Sequence, residues 1–425
     1  MLRETVRTPR ITHSGLCITF IEIPLFIRVF LGLLTFEKIR IMTFPDNDLL
    51  SVVLLAVFAG CALVQCIYYL GVFLPLLLAR YRQHTSLPAS GGTPPVSVIV
   101  CAHNDAERLS LLLPALLGQD YPEFEVVVVD NGSKDDTSSL LRMMEQQYEH
   151  LRFSEIGGEP AFVNTTYFAE TIGIKSARYD LLVFTDASCR PTGPGWLASM
   201  QRAFSRKTDF VLGNCFVSRR PGMLNRLIRY DRFFHLVMGF GLSRMVRPHL
   251  GFGGNIAFRK QVFFEHSGFV RVAHMPVGNT PVYLSEAARR TDTTVMLQPE
   301  SYMEEEPADT WKGWSLADGK HQRAFRCHPF VIRLLYALEL LSRLLFYVTC
   351  AWLMLRGVMV PYVAGVLLGR FAVQMAVLVP LMTGLGFRRL WWTIPLYDTV
   401  VHPVTMLALR VDSLLSSFRS AKYSF

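Results

Sequence analysis

No pairing pattern is written into the cysteines of this chain. Its eight thiols are scattered, without the close spacing of a zinc site or the density of a disulfide framework. Cys61, Cys66 and Cys350 sit inside apolar runs, where a thiol behaves as a small hydrophobe, and Cys101 and Cys189 stand at strand ends with an ordinary buried thiol as the simplest reading. Charge is also scarce: 18% of residues are charged, with 34 acids against 43 bases and a formal charge of +9. A basic balance fits nucleic acid, but no nucleic-acid motif accompanies it. Arg80, Arg82, Arg388 and Arg389 instead flank apolar runs, as basic residues do beside membrane helices facing anionic lipid. Internal repeats and long low-complexity tracts are missing. So is a small-residue cleavage site after the first apolar region, which argues against a cleaved signal peptide.

What the chain has in quantity is apolar length. The hydrophobic share is 51%, concentrated towards the two ends, while the middle third carries most of the acids. Leu50 to Ala79 is an apolar run closed by Arg80 and Arg82, and about 20 such residues span a bilayer, so 49–82 reads as a transmembrane helix. Before it, 1–48 holds a weaker apolar helix over 18–36, interrupted by Glu22 and Arg28, with Met42 as an alternative start. Residues 83–94 read as a linker, 95–330 as a globular domain, 331–410 as a transmembrane hairpin followed by an interfacial segment or third span, and 411–425 as a tail. Glu339 and Arg343 lie four apart and are expected to pair on one helix face. Arg370 and Gln374 share the same spacing, suited to a polar seam between helices. The basic flanks place the globular domain on the cytoplasmic side of an inner membrane.

Within the domain, PPVSVIVCAHNDAERL and FEVVVVDNGSKDD read as two buried strands ending in polar loops. In an open α/β sheet, ligands settle at the carboxyl ends of the strands. His103, Asn104 and Asp105 from the first loop, and Asp130, Asn131 and Gly132 from the second, would meet at one edge. The second triplet equally makes a turn.

These segments, with IGIKSARYDLLVFTDASC and GFGGNIAFRKQVFF, resemble the membrane-anchored, cellulose-synthase-like family-two glycosyltransferases in order and spacing. The resemblance implies an α/β fold, a GT-A-like mixed sheet flanked by helices with transmembrane helices at both ends. It implies inverting transfer of a sugar from a UDP- or GDP-sugar to a lipid-linked or polysaccharide acceptor. Donor binding then falls to Asn104, Asp105, Asp130 and Asp186, catalysis to Asp186, and acceptor binding to Gly253, Asn255 and Trp314. Trp311 and Trp314 suit sugar stacking or a membrane interface equally. Partners are the nucleotide-sugar, the acceptor, the membrane, and a homo-oligomer or envelope complex; nucleic acid is not among them.

The same resemblance exposes departures. Relatives carry Asp-x-Asp where this chain has Asp186 and Ser188, so Mg²⁺ or Mn²⁺ would rest on Asp186 alone. The acidic element that supplies their base is here Gly278, Asn279, Thr280 and Pro281, none of which accepts a proton at neutral pH. Glu286 and Glu304 to Glu306 are the nearby carboxylates, with Glu286 expected on a solvated helix face. Thr165 and Thr166 replace a Gly-Lys pair, and Lys320, His321 and Arg323 stand near the place of a Gln-x-x-Arg element. A second reading is therefore a catalytically silent scaffold that binds nucleotide or glycan in envelope assembly.

Overall fold

Val96–Ala102 (β1) and Phe124–Asp130 (β2) are Val-rich and buried on nearly every residue, as strands covered by helices on both faces must be. The computed structural model describes residues 49–86, 92–157, 165–249, 251, 253–270, 272, 280–316, 325, 328–401 and 404. The segment 1–48, the tail 411–425, Gly278, Asn279, Lys320, His321 and Arg323 lie outside the described residues.

β1 and β2 pair in parallel, register Val96 to Phe124. β3 (Leu151–Glu155) extends the sheet beyond β2, and β4 (Leu181–Asp186) lies on the other side of β1, both parallel. Parallel neighbours need crossover connections. α3 (Ala106–Leu117), α4 (Thr137–Gln147) and α5 (Thr165–Ser176) supply them. α5 closes on the sheet through Gly173, where an added Cβ would stand 2.7 Å from the Ile99 side chain. The sheet then turns mixed. β8 (Ile256–Arg259) runs antiparallel to β4 and to β6 (Phe210–Leu212), and β9 (Thr293–Val295) finishes a seven-stranded order of β3-β2-β1-β4-β8-β6-β9. A second, three-stranded sheet joins β5 (Cys189–Pro191), β10 (Met303–Glu305) and β7 (Cys215–Val217) beside the end of β4. The expected mixed sheet flanked by helices is present.

Apolar helices pack on one side of this domain. α1 (Leu49–Ile67) continues through a π-helical turn, Tyr68–Phe73, into α2 (Leu74–Ser86). The helix thus runs past residue 83, where a linker was expected. Gln83 docks onto the domain, donating to the Val295 carbonyl at 2.7 Å and accepting from the Leu297 N–H at 2.9 Å. α10 (Phe330–Leu355) and α11 (Val360–Gly384) form a helical hairpin, turning through Gly357 and Met359 at positive φ. Leu49–Gln83 and Val360–Gly384 are long and apolar enough to cross a membrane. The carboxyl ends of these two helices meet, with Arg80 Nε donating to the Gly384 carbonyl at 3.2 Å.

α7 (Met223–Met245) is buried along most of its length and joins the two parts: Phe234 meets Phe73 edge to face at 6.5 Å. Between α1, α10 and α11 lies a buried polar network. Arg343 pairs with Glu339 at 2.9 Å and with Asp398 at 3.0 Å, and Arg370 pairs with Asp398 at 2.9 Å and Gln374 at 2.8 Å. The Glu339–Arg343 pair suggested by the spacing therefore forms, and Arg370 and Gln374 bond to each other within the same buried seam. Asp398 belongs to a run of short helical turns, 391–401, rather than to a straight helix.

Candidate active site

The carboxyl edge of the parallel strands is built by three loops. Asn104 adopts φ 56°, a left-handed conformation that Asn tolerates, and this turns its side chain across to the loop after β2. Its Oδ1 accepts from the Lys134 N–H at 2.7 Å, and its own N–H donates to Ser133 Oγ at 2.9 Å. His103 Nδ1 donates to the Asn131 carbonyl at 2.9 Å. Asp135 ties the same two loops by accepting from the Ala106 N–H at 3.2 Å. The hydrogen bonds from Thr137 hold its carboxyl below the usual range.

The two aspartates expected to grip the donor differ in environment. Asp130 is fully buried; one oxygen accepts from the Ser133 N–H at 3.0 Å and the other from the Ser138 hydroxyl. Its carboxylate organises the loop. Asp186 ends β4 with its side chain exposed. Its Oδ1 accepts from the Ser188 N–H at 3.0 Å and from Ser188 Oγ at 2.9 Å. Since β1 lies between β2 and β4, the two residues stand two strand spacings apart, roughly 10 Å.

Arg108, which the sequence did not single out, and Glu306, one of the acids noted near the missing base, join Asp186. Arg108 lies one turn into α3, where Nη1 pairs with Asp105 Oδ1 at 3.0 Å. Burial works against its charge, but the Asp105 hydrogen bond and the fields of Asp105, Asp186 and Glu306 outweigh that and raise its pKa. Those carboxylates therefore share one neighbourhood. The Glu306 N–H donates to the Ser188 carbonyl at 3.1 Å, and its carboxylate pairs with Arg190 at 2.9 Å. Of the other candidates, Glu304 accepts from the Ser218 hydroxyl and Glu305 pairs with Arg232 at 2.8 Å. Glu286 is exposed on α9 (Thr280–Ala287), as expected.

The acceptor set is divided by the structure. Gly253 has no atom of the described residues within 4 Å of an added Cβ. Asn255 is fully buried: Oδ1 accepts from Trp196 Nε1 at 3.1 Å, while Nδ2 donates to the Asn214 and Ser301 carbonyls, each at 2.8 Å. With its amide engaged on both ends, Asn255 braces the core. Trp314 is 5% exposed and packs edge to face on Trp311 at 5.0 Å; Trp311, at 45% exposure, is the ring a ligand can reach.

Behind the Asp186 loop, Cys189 and Cys215 bring their sulfurs to 3.5 Å, with Gly254 packed over them. The Cys215 hydrogen bond and then burial push the Cys189 thiol well above its usual pKa, and burial does the same to Cys101. Both stay protonated and unreactive.

A divalent ion was expected on Asp186. The residues suit one shared with a ligand: Asp186 keeps an oxygen with no protein hydrogen bond among the described residues, and Mg²⁺ commonly takes one or two carboxylates plus phosphate oxygens and water.

Residues 97–264 match the model of glycosyl transferase family 2, so the chain carries a family-2 glycosyl transferase domain in its mixed α/β sheet. Glycosyltransferase AglE of Haloferax volcanii is 30% identical over 153 residues, 36% of this chain and 49% of the relative. A GalNAc(5)-diNAcBac-PP-undecaprenol beta-1,3-glucosyltransferase of Campylobacter jejuni is 23% identical over 135 residues, 31% of this chain and 41% of that protein. The chain thus spans about half the length of these curated relatives or less. Among solved structures, a mannosyltransferase from Pyrobaculum calidifontis in complex with GDP-Man and Mn²⁺ superposes with a TM-score of 0.47 at 19% identity, covering 80% of this chain and 98% of that one.

Proposed function

We propose that this chain transfers a sugar from a UDP- or GDP-sugar to a lipid-linked or polysaccharide acceptor at the cytoplasmic face of a membrane, by direct inverting displacement. The observation that carries the reading is Asp186: an exposed carboxylate at the carboxyl end of the parallel strands, with Arg108 and Glu306 beside it. Asn104, Asp105 and the loop amides that Asp130 arranges would hold the nucleotide, and Gly253 with Trp311 would border the acceptor.

In the transfer, the acceptor hydroxyl gives its proton to Glu306, its oxygen bonds to the anomeric carbon, and the bond to the diphosphate breaks with its electron pair leaving on the diphosphate. Arg108 stabilises that departing charge. A Mg²⁺ or Mn²⁺ held by Asp186, when bound, supplies further charge neutralisation on the diphosphate.

A panel of UDP- and GDP-sugars, with and without Mn²⁺, tests this on purified protein. Asp186→Ala should lower transfer at least about 100-fold, and Glu306→Gln should lower turnover while donor affinity stays within twofold. Activity unchanged by both substitutions overturns the assignment. The silent-scaffold reading is favoured by Ser188, whose hydroxyl bonds to Asp186 where relatives place a second carboxylate. Donor binding with no turnover by the unaltered chain would establish it.

A further inference from the structure

A cavity of about 580 Å³ opens between the loop after β7, the first turns of α7 and the turn that follows α11. Arg219, Arg220, Arg226, Arg229, Arg389 and Trp392 line it, and among the described residues no carboxylate does. Arg220 reaches outward to Asp309, and Arg226 lies over the Trp392 ring at 5.1 Å. Arg219 and Arg389 are exposed and form no ion pair among the described residues.

Arg229 is the telling member. It is 4% exposed, its Nη2 makes one long contact to the Arg388 carbonyl at 3.4 Å, and its Nε has no hydrogen-bond partner among the described residues. A buried guanidinium with no ion pair among the described residues is costly, and Arg219 nearby adds like-charge repulsion that the smaller opposing field of Glu304 does not cancel. Burial first, then Arg219, pull the Arg229 pKa below the usual value. An anion in the cavity would relieve both penalties and complete the donor set.

The surroundings indicate which kind of anion. Arg389, Leu390 and Trp392 bring the cavity just past the end of α11 at Gly384, a helix able to cross a membrane, and Trp391 and Trp392 are 49% and 53% exposed. Exposed tryptophans next to arginines at a helix end mark headgroup depth. α7 also links the cavity to the candidate active site: one turn after Arg229, Arg232 pairs with Glu305, which stands opposite Cys189 on the strand that follows Asp186.

We propose that this arginine cavity binds the phosphate or diphosphate head of a membrane lipid. Identifying that lipid as the sugar acceptor rests on the transferase reading above; the binding itself does not.

Native mass spectrometry of the full chain in neutral micelles tests the site with a polyprenyl diphosphate, phosphatidylglycerol, diacylglycerol and inorganic pyrophosphate. One phosphate-bearing lipid should be retained per chain, with diacylglycerol not retained and pyrophosphate at least tenfold weaker. If the polyprenyl diphosphate outcompetes phosphatidylglycerol, the site selects an acceptor-type head; equal retention identifies a general anionic-lipid site. The exposed pair R219Q/R389Q, which should fold normally, and Arg229→Met should each weaken lipid retention at least tenfold. Arg229→Met should also leave the lipid-free melting temperature unchanged or higher. Lipid retention unaffected in both variants, or pyrophosphate binding as tightly as lipid, overturns the proposal. Donor binding measured in the same variants should be unchanged. Its loss in the unaltered chain would count against the transferase reading alone.

Discussion

Asp130 and Asp186 both end buried strands, yet the chain around them gives each a different task. Asp130 is enclosed and bonded to Ser133 and Ser138, so Asp130→Ala leaves two polar partners unpaired at a loop core. It should cost about 1–3 kcal/mol in chemical unfolding, whereas Asp186→Ala should leave stability within about 0.5 kcal/mol because the residue is exposed. Asn255→Ala should be worse than either, near 3 kcal/mol by the same measurement, since it strands the Trp196 indole and two buried carbonyls. The sequence made the strand-end aspartates and their loops visible, because apolar runs stop abruptly at polar residues. It did not separate exposed from enclosed carboxylates, and it placed Asn255 on the acceptor because a glycine-rich segment looks alike whether it faces a ligand or packs over Cys189 and Cys215. Glu306 was one of three adjacent acids until the bond from its N–H to the Ser188 carbonyl set it beside the Asp186 loop.

At the scale of elements, the helical layer depends on a charge cluster that four segments share. Asp398 accepts from Arg343, Arg370, Tyr347 and, at 3.4 Å, Tyr230, all within a buried setting. Asp398→Asn leaves an uncompensated positive charge there and should destabilise the folded helices by about 3–5 kcal/mol, read as faster proteolysis in detergent. The apolar lengths of α1, α10 and α11 and the Glu339–Arg343 pair were legible from spacing, because both follow from helical periodicity. The part played by Asp398 was not, since its partners lie 28 to 168 residues away. The arginine cavity escaped the sequence for a similar reason: Arg229 and the segment holding Arg388 and Arg389 meet across 159 residues of chain.

At the scale of the whole molecule, the domain and the helices share a seam that senses pH. His249, just after α7, and His328, just before α10, meet edge to face at 5.2 Å, with Arg247, Arg333 and the Tyr336 hydroxyl around them. Burial lowers His249 to about 4 and His328 to about 3. Both are neutral in the folded chain at pH 7, and an unfolded histidine titrates near 6.5. Their contribution is therefore complete above about pH 6.5 and is lost as pH falls from there through about 4 for His249 and about 3 for His328, as the unfolded chain takes up protons that the folded one refuses. The melting temperature should drop between pH 7.5 and pH 5, and His328→Phe should make that drop smaller; an unchanged slope would remove the seam as its cause. The larger claim is that the loops ending β1 and β4 receive a nucleotide-sugar. Hydrogen exchange on the full chain, with and without donor, tests it most directly. Exchange should slow at residues 103–108 and 186–190 when UDP- or GDP-sugar is added, and Asp186→Ala should reduce that slowing. Donor binding that protects neither segment would contradict it.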